Sequence, residues 1–215
     1  MRTFEQYIRE AVDFRLGGKE GRERLYQYHP ESRNELVSII DELVKEGGNN
    51  ADLNVIDTSK VTDMSNVFTK MRNSNLSSIR HIDISLWDTS NVTNMNSMFF
   101  GAALFDSDIS EWDTSKVENM MMMFSLAREF NQDISQWNVS SVTNMSYMLN
   151  GCERFNQDIS QWDTSRVTNM DWMFRSAKSF NQDISDWNVD NVTNHEKIFK
   201  DTILKAEFRP KFKFK

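Results

Sequence analysis

Phe130-Asn131-Gln132-Asp133-Ile134-Ser135-Gln136-Trp137 returns 25 residues later as Phe155-Asn156-Gln157-Asp158-Ile159-Ser160-Gln161-Trp162, and again from Phe180 to Trp187. The same step carries Trp87, Trp112, Trp137, Trp162 and Trp187, and behind them Val92, Val117, Val142, Val167 and Val192. After each Trp come Asp or Asn, Thr or Val, Ser or Asp, and then Val-Thr-Asn-Met or a near copy. A degenerate unit precedes these at Leu53, with Ile56 in the Trp position, then Val61, Met64 and Phe68. Asp57 to Asp88 is 31 residues, so six are inserted, placed within Lys70 to Arg80. A fixed period of this length marks a repeat architecture whose units bury their apolar faces against one another.

Spacing inside one unit predicts its shape. Ile134, Trp137, Val139 and Val142 are spaced 3, 2 and 3, the frame of a leucine-rich repeat with Val at the usual Asn or Cys. Alternation predicts a strand with Trp137 and Val139 inward and Gln136, Asn138 and Ser140 outward. Val142, Met145, Met148, Leu149 and Cys152 follow at helical intervals, with Ser140, Ser141 and Thr143 as candidate N-caps. The expected fold is α/β: a leucine-rich-repeat-like solenoid of about six strand-turn-helix units, its strands forming a parallel sheet.

The motif F-N-Q-D-I-S-x-W-[DN]-[TV]-S-x-V-T-N-M-x-x-M-F resembles the BspA-type leucine-rich-repeat family, also described as a mycoplasma-type domain of unknown function. The resemblance covers about Leu53 to Phe199. It implies a scaffold for adhesion or protein–protein contact, on bacterial surfaces in many members, without catalytic activity.

The ends read differently. Residues 1–29 are expected to be an amphipathic helix and a joint: Phe4, Tyr7, Ile8 and Ala11 share one helical face, and Gly17, Gly18 and Gly21 follow. This start is similar to short amphipathic leaders on some tailed-phage proteins, which would imply docking to a larger assembly. Residues 30–50 predict a capping helix. Ser32 and Glu35 make a capping box, Leu36, Ile39, Ile40, Leu43 and Val44 an apolar stripe, and Gly47-Gly48 a stop. Residues 51–204 are the repeat region. Residues 205–215 alternate Phe208, Phe212 and Phe214 with Arg209, Lys211, Lys213 and Lys215, predicting a final edge strand or a basic tail.

Composition narrows the function. The chain has 215 residues, with 25 Lys and Arg against 32 Asp and Glu, for a net charge of −7, which disfavours a nucleic-acid binder. A hydrophobic fraction of 39% suffices for a core, and the lone Cys152 excludes a disulfide scaffold. No run approaches a membrane span, and Arg2, Glu5, Arg9, Glu10 and Asp13 interrupt any secretory leader. A cytoplasmic or virion-associated location is therefore expected over a Sec-exported one.

No cofactor, metal site or catalytic motif is expected. Trp at a core register is packing before it is a sugar platform. The ladder Asp108, Asp133, Asp158 and Asp183, and the ladder Asp88, Asp113, Asn138, Asp163 and Asn188, are expected to bond nearby amides rather than Ca²⁺. Cys152 stands at the Ala102, Ala127 and Ala177 position, a small core residue. Candidate partner-binding residues are Glu111, Asp113, Gln136, Asn138, Gln161, Asp163, Asp186 and Asn188 on the outward face. Trp172, the terminal Phe4, Tyr7 and Ile8, and Lys211 and Lys213 complete the set. Trp172 and the pair Met121 and Met122 lie off the apolar phase, as an exposed contact would. The expected partners are proteins, a large assembly or another copy of the chain, with no membrane insertion. A carbohydrate-binding adhesin centred on Trp172 is the remaining option.

Overall fold

The computed structural model of the protein describes residues 26–48, 51–69 and 82–212. Phe4, Tyr7, Ile8, the inserted stretch at 70–80, Lys213 and Phe214 lie outside them.

Helix α1 spans Arg33–Gly47. Ser32 caps it: its Oγ accepts the Glu35 N–H at 3.3 Å, while the Glu31 N–H donates to Glu35 Oε2 at 2.8 Å. Gly48 ends it at φ 57°, a left-handed conformation that suits glycine. Leu36, Val37, Ile40 and Val44 are buried in one core with Leu53 and Ile56 of the first repeat unit. The Arg33 side chain donates to Ser65 O.

The repeats do not form an α/β leucine-rich-repeat-like solenoid. Among the described residues α1 is the one α-helix, and parallel pairing is confined to isolated bridges. Among the described residues there is no sheet and no strand-turn-helix unit. Tyr28 pairs with Ile56, Asp63 with Asn94, and Asn94, Asn119, Asn144, Asn169 and Asn194 pair in succession. The strand expected at Trp137 and Val139 is irregular backbone between turns.

The helix expected over Val142–Cys152 is replaced by turns, for a reason visible in the hydrogen bonds. Met145, Tyr147, Leu149 and Gly151 donate their N–H groups to Asn169, Asp171, Met173 and Arg175 of the next unit, at 2.8 to 3.0 Å. The intervening Met148, Asn150 and Cys152 donate three residues back, to Met145, Tyr147 and Leu149, at 3.1 to 3.2 Å. A helix this short gains few internal bonds against its nucleation cost, whereas each unit here satisfies every second N–H on its neighbour. Tyr147 at φ 58° and Gly151 at φ 72° are left-handed. A left-handed residue every fourth position sends i, i+3, i+4 and i+7 to one side, as a helix does. Periodicity alone could not separate the two.

Of the expected N-caps, Ser140 Oγ bonds Asn138 Oδ1 at 2.7 Å in its own turn, and the other two act across units. Ser141 Oγ donates to Ser115 O at 2.7 Å, and Thr143 Oγ1 to Glu118 O at 3.2 Å. Units therefore pair one against the next, and their core is built of columns. The five indoles are 3–4% exposed. Each donates its N–H to the preceding unit, Trp87 to Leu53 O and Trp112, Trp137, Trp162 and Trp187 to Ile84, Ile109, Ile134 and Ile159, at 2.9 to 3.1 Å. Trp112 and Trp137 stack at 6.5 Å and 3°, and Phe130 and Phe155 at 5.9 Å and 1°. Stacked like residues fill the interior, and each indole N–H finds the partner that burial demands.

Over its described residues, 205–212, the C-terminal segment is not an edge strand. Ala206–Phe208 is a 3₁₀ turn, and the chain crosses the last unit irregularly. Phe208 O accepts the Ile184 N–H at 3.0 Å, Arg209 lies over Phe199 at 5.2 Å, and Phe212 stacks on His195 at 4.4 Å. Apolar contact with the last unit decides its path, which the alternation of Phe and Lys could not show.

Candidate functional site

The outward residues of the sequence reading divide into two groups. Glu111, Asp113, Gln136, Asn138, Gln161, Asp163, Asp186 and Asn188 are all exposed, but they line a row of turns rather than the concave face of a sheet. Asp113, Asn138, Asp163 and Asn188 accept the N–H two residues on, at 2.9 to 3.1 Å. Asp108, Asp133, Asp158 and Asp183 do the same to Ser110, Ser135, Ser160 and Ser185 at 2.9 to 3.0 Å. These are Asx turns, in which the side chain replaces a backbone carbonyl. Serine hydroxyl and amide bonds hold Asp113 and Asp163 below the ordinary carboxylate range. The amide and then the hydroxyl do so for Asp133, Asp158 and Asp183. Both ladders thus shape turns, and among the described residues no cluster of three His, Cys, Asp or Glu is placed to hold a metal. Cys152 is fully buried, with Sγ 3.0 Å from Phe124 O, and desolvation pushes its thiol far up. It packs as a small core residue.

Trp172 belongs to a different column. Steps of 25 place Ser97, Met122, Tyr147, Trp172 and Lys197 in register, with φ of 54°, 57°, 58°, 59° and 49°. From Met122 onward the left-handed backbone turns these side chains away from the core, while Ser97 is buried. Met122, Tyr147 and Trp172 are half-buried and Lys197 is exposed. Tyr147 stacks on Trp172 at 5.8 Å and 5°. Lys197 Nζ stands 4.7 Å from the Trp172 ring centroid and the Arg175 guanidinium 4.9 Å. Arg175 Nε is buried without a hydrogen-bond partner. Leu126, 37% exposed, lies in the left-handed column four residues on, which includes Gly101, Gly151, Ser176 and Asp201. Met122, Tyr147 and Trp172 thus share one partly exposed column, with two cations beside Trp172.

Sequence reasoning reached Trp172 and Met122 but not Tyr147, Arg175 or Lys197. Stepping 25 residues either way from Trp172 lands on Tyr147 and Lys197; the positive φ that exposes them left no mark in the hydropathy. Met121 is half-buried in the adjoining column, and Lys211 is exposed near the C-terminal end. His29 and Asp57, 3.2 Å apart, join the segment before α1 to the first unit.

The family described as "Mycoplasma protein of unknown function, DUF285" matches residues 38–153 and again residues 132–208, so the matches span most of the chain. No curated protein matches the chain. No solved structure matches it. Among the described residues no helix is long and apolar enough to cross a membrane.

Proposed function

The chain belongs to this family, and we propose that it is a non-enzymatic protein–protein interaction module whose contact surface is the Met122, Tyr147 and Trp172 stripe. The single observation behind this reading is the conformation of that column. A left-handed backbone costs a bulky residue about 1–2 kcal/mol, which glycine escapes, as at Gly101 and Gly151. In three successive units large apolar side chains, Met122, Tyr147 and Trp172, nonetheless stand there, partly exposed and different from one unit to the next. Strained positions that expose distinctive side chains point to recognition. Aromatic and methionine side chains beside arginine are also the composition of interface centres. The finer kinship with BspA-type repeats belongs to this proposal; it rests on the motif and would imply a role in adhesion or contact. A sugar platform is less well supported, because Tyr147, Arg175 and Lys197 already face the Trp172 ring.

The test is photo-crosslinking from a benzophenone residue at position 122 of the full chain, in extract of its native source. The expected product is a discrete protein adduct that disappears in Tyr147→Ser/Trp172→Ser while the circular dichroism spectrum stays unchanged. An adduct indifferent to that double substitution would refute the assignment of the stripe.

A further inference from the structure

The two ends of the repeat region differ in what their backbones offer. From the second unit to the fifth each unit gives four N–H groups to the next, the last such set being Met170, Trp172, Phe174 and Ser176 to Asn194, Glu196, Ile198 and Lys200 at 2.7 to 3.0 Å. In the final unit the equivalent donors are His195, Lys197, Phe199 and Asp201. Among the described residues none of their N–H groups has an acceptor. The carbonyl of Thr193, whose counterpart Thr168 O accepts from Thr193 and Asn194, ends the same row. At the opposite end Ser65 O, in the matching acceptor row, is already taken by Arg33 of α1.

We propose that this open row docks an acidic repeat unit of a different protein chain, added as one further unit of the stack. Backbone register defines the occupant. It supplies carbonyls at positions k, k+2, k+4 and k+6, an N–H at k−1 for Thr193 O, and left-handed-tolerant residues at k+3 and k+7, as in the pairing of the fifth unit with the sixth. Its methionine at k+1 sits over His195 and replaces Phe212 there.

Charge favours the same occupant. Residues 195–215 carry seven basic and three acidic side chains, whereas residues 51–194 carry ten basic and nineteen acidic. A unit of the composition repeated here is therefore attracted to this end. A second copy does not fit. Its first unit is covered by α1, whose Leu36, Val37, Ile40 and Val44 share a core with Leu53 and Ile56 and whose Arg33 bonds Ser65 O, and two C-terminal ends facing each other would oppose donors to donors. This docking edge shares only Lys197 with the Trp172 stripe, through its backbone N–H, and its failure would leave that reading standing.

The experiment tethers a repeat unit to the full chain after Lys215 through a flexible Gly/Ser linker, which gives an effective concentration in the millimolar range. The unit is the peptide Asn138 to Glu153 with Cys152→Ala, and a scrambled tether is the control. Amide hydrogen exchange is read residue by residue. In the scrambled control the N–H groups of His195, Lys197, Phe199 and Asp201 exchange much faster than those of Met170, Trp172, Phe174 and Ser176. With the ordered tether all four slow by at least about tenfold. Fast exchange with both tethers overturns the proposal, as does slow exchange in the control. Equal slowing with the scrambled tether, or by added heparin, also overturns it, because charge alone would then suffice. Trp172→Ser in the tethered chain leaves the protection in place, separating this edge from the stripe.

Discussion

Two columns run through the same units on the same step and behave in opposite ways. Trp87, Trp112, Trp137, Trp162 and Trp187 are identical, buried and bonded through their indole N–H groups. Ser97, Met122, Tyr147, Trp172 and Lys197 differ at every step, and from Met122 onward they reach the surface. Stacking demands like shapes in like places, so the interior column is uniform. The outer column is released from that demand and differs from unit to unit. A tryptophan's meaning here is set by its phase within 25 residues.

The sharpest way to break this comparison is to truncate one tryptophan from each column. Trp137→Ala removes a buried indole and its bond to Ile109 O, and urea unfolding should show a loss of about 3–5 kcal/mol. Trp172→Ala should stay within about 1 kcal/mol of the parent. Similar losses from both would erase the distinction.

The left-handed residues sharpen it next. Gly151→Ala should destabilise by about 1–2 kcal/mol, because φ is 72° and a Cβ would stand 2.9 Å from Leu126 Cδ2. Part of that loss should return in the double variant with Leu126→Gly, as measured by a double-mutant cycle in urea. A smaller effect tests the buried threonines. Thr114 Oγ1 donates to Asn138 O at 3.0 Å, yet Val139 and Val189 fill the same column. Thr114→Val should therefore cost about 1 kcal/mol or less.

Smallest per residue is the pH dependence of the outward turns. Asp113, Asp133, Asp158, Asp163 and Asp183 have folded values below the ordinary range. Their stabilisation is complete above the unfolded carboxylate value of about 4 and is lost as pH falls through the folded values. Thermal midpoints should be level from neutral pH to that point and decline below it. Asp158→Asn, which keeps the acceptor, should blunt the decline.

Much of the molecule was legible in the residues. Ser32, Glu35 and Gly48 mark the bounds of α1 because caps are local chemistry. The indole column is legible as core because five identical large side chains on one step have few other places to go. The turns at Asp and Asn follow from side chains that bond their own backbone. The shape of Val142–Cys152 was not legible, since left-handed residues every four positions imitate a helix in hydropathy. Tyr147 was missed for a related reason: its exposure depends on φ rather than on its neighbours' polarity.

The repeat step, the buried columns, the turn chemistry and the cap at Ser32 were determined by sequence alone, because each depends on residues close together or on an unbroken period. The tertiary structure decided where the N–H groups go. Bonding to the adjacent unit displaced both the helix and the sheet, since it satisfies backbone that a short helix would leave half-paired. That same choice turned Trp172 outward and left His195, Lys197, Phe199 and Asp201 facing no further unit.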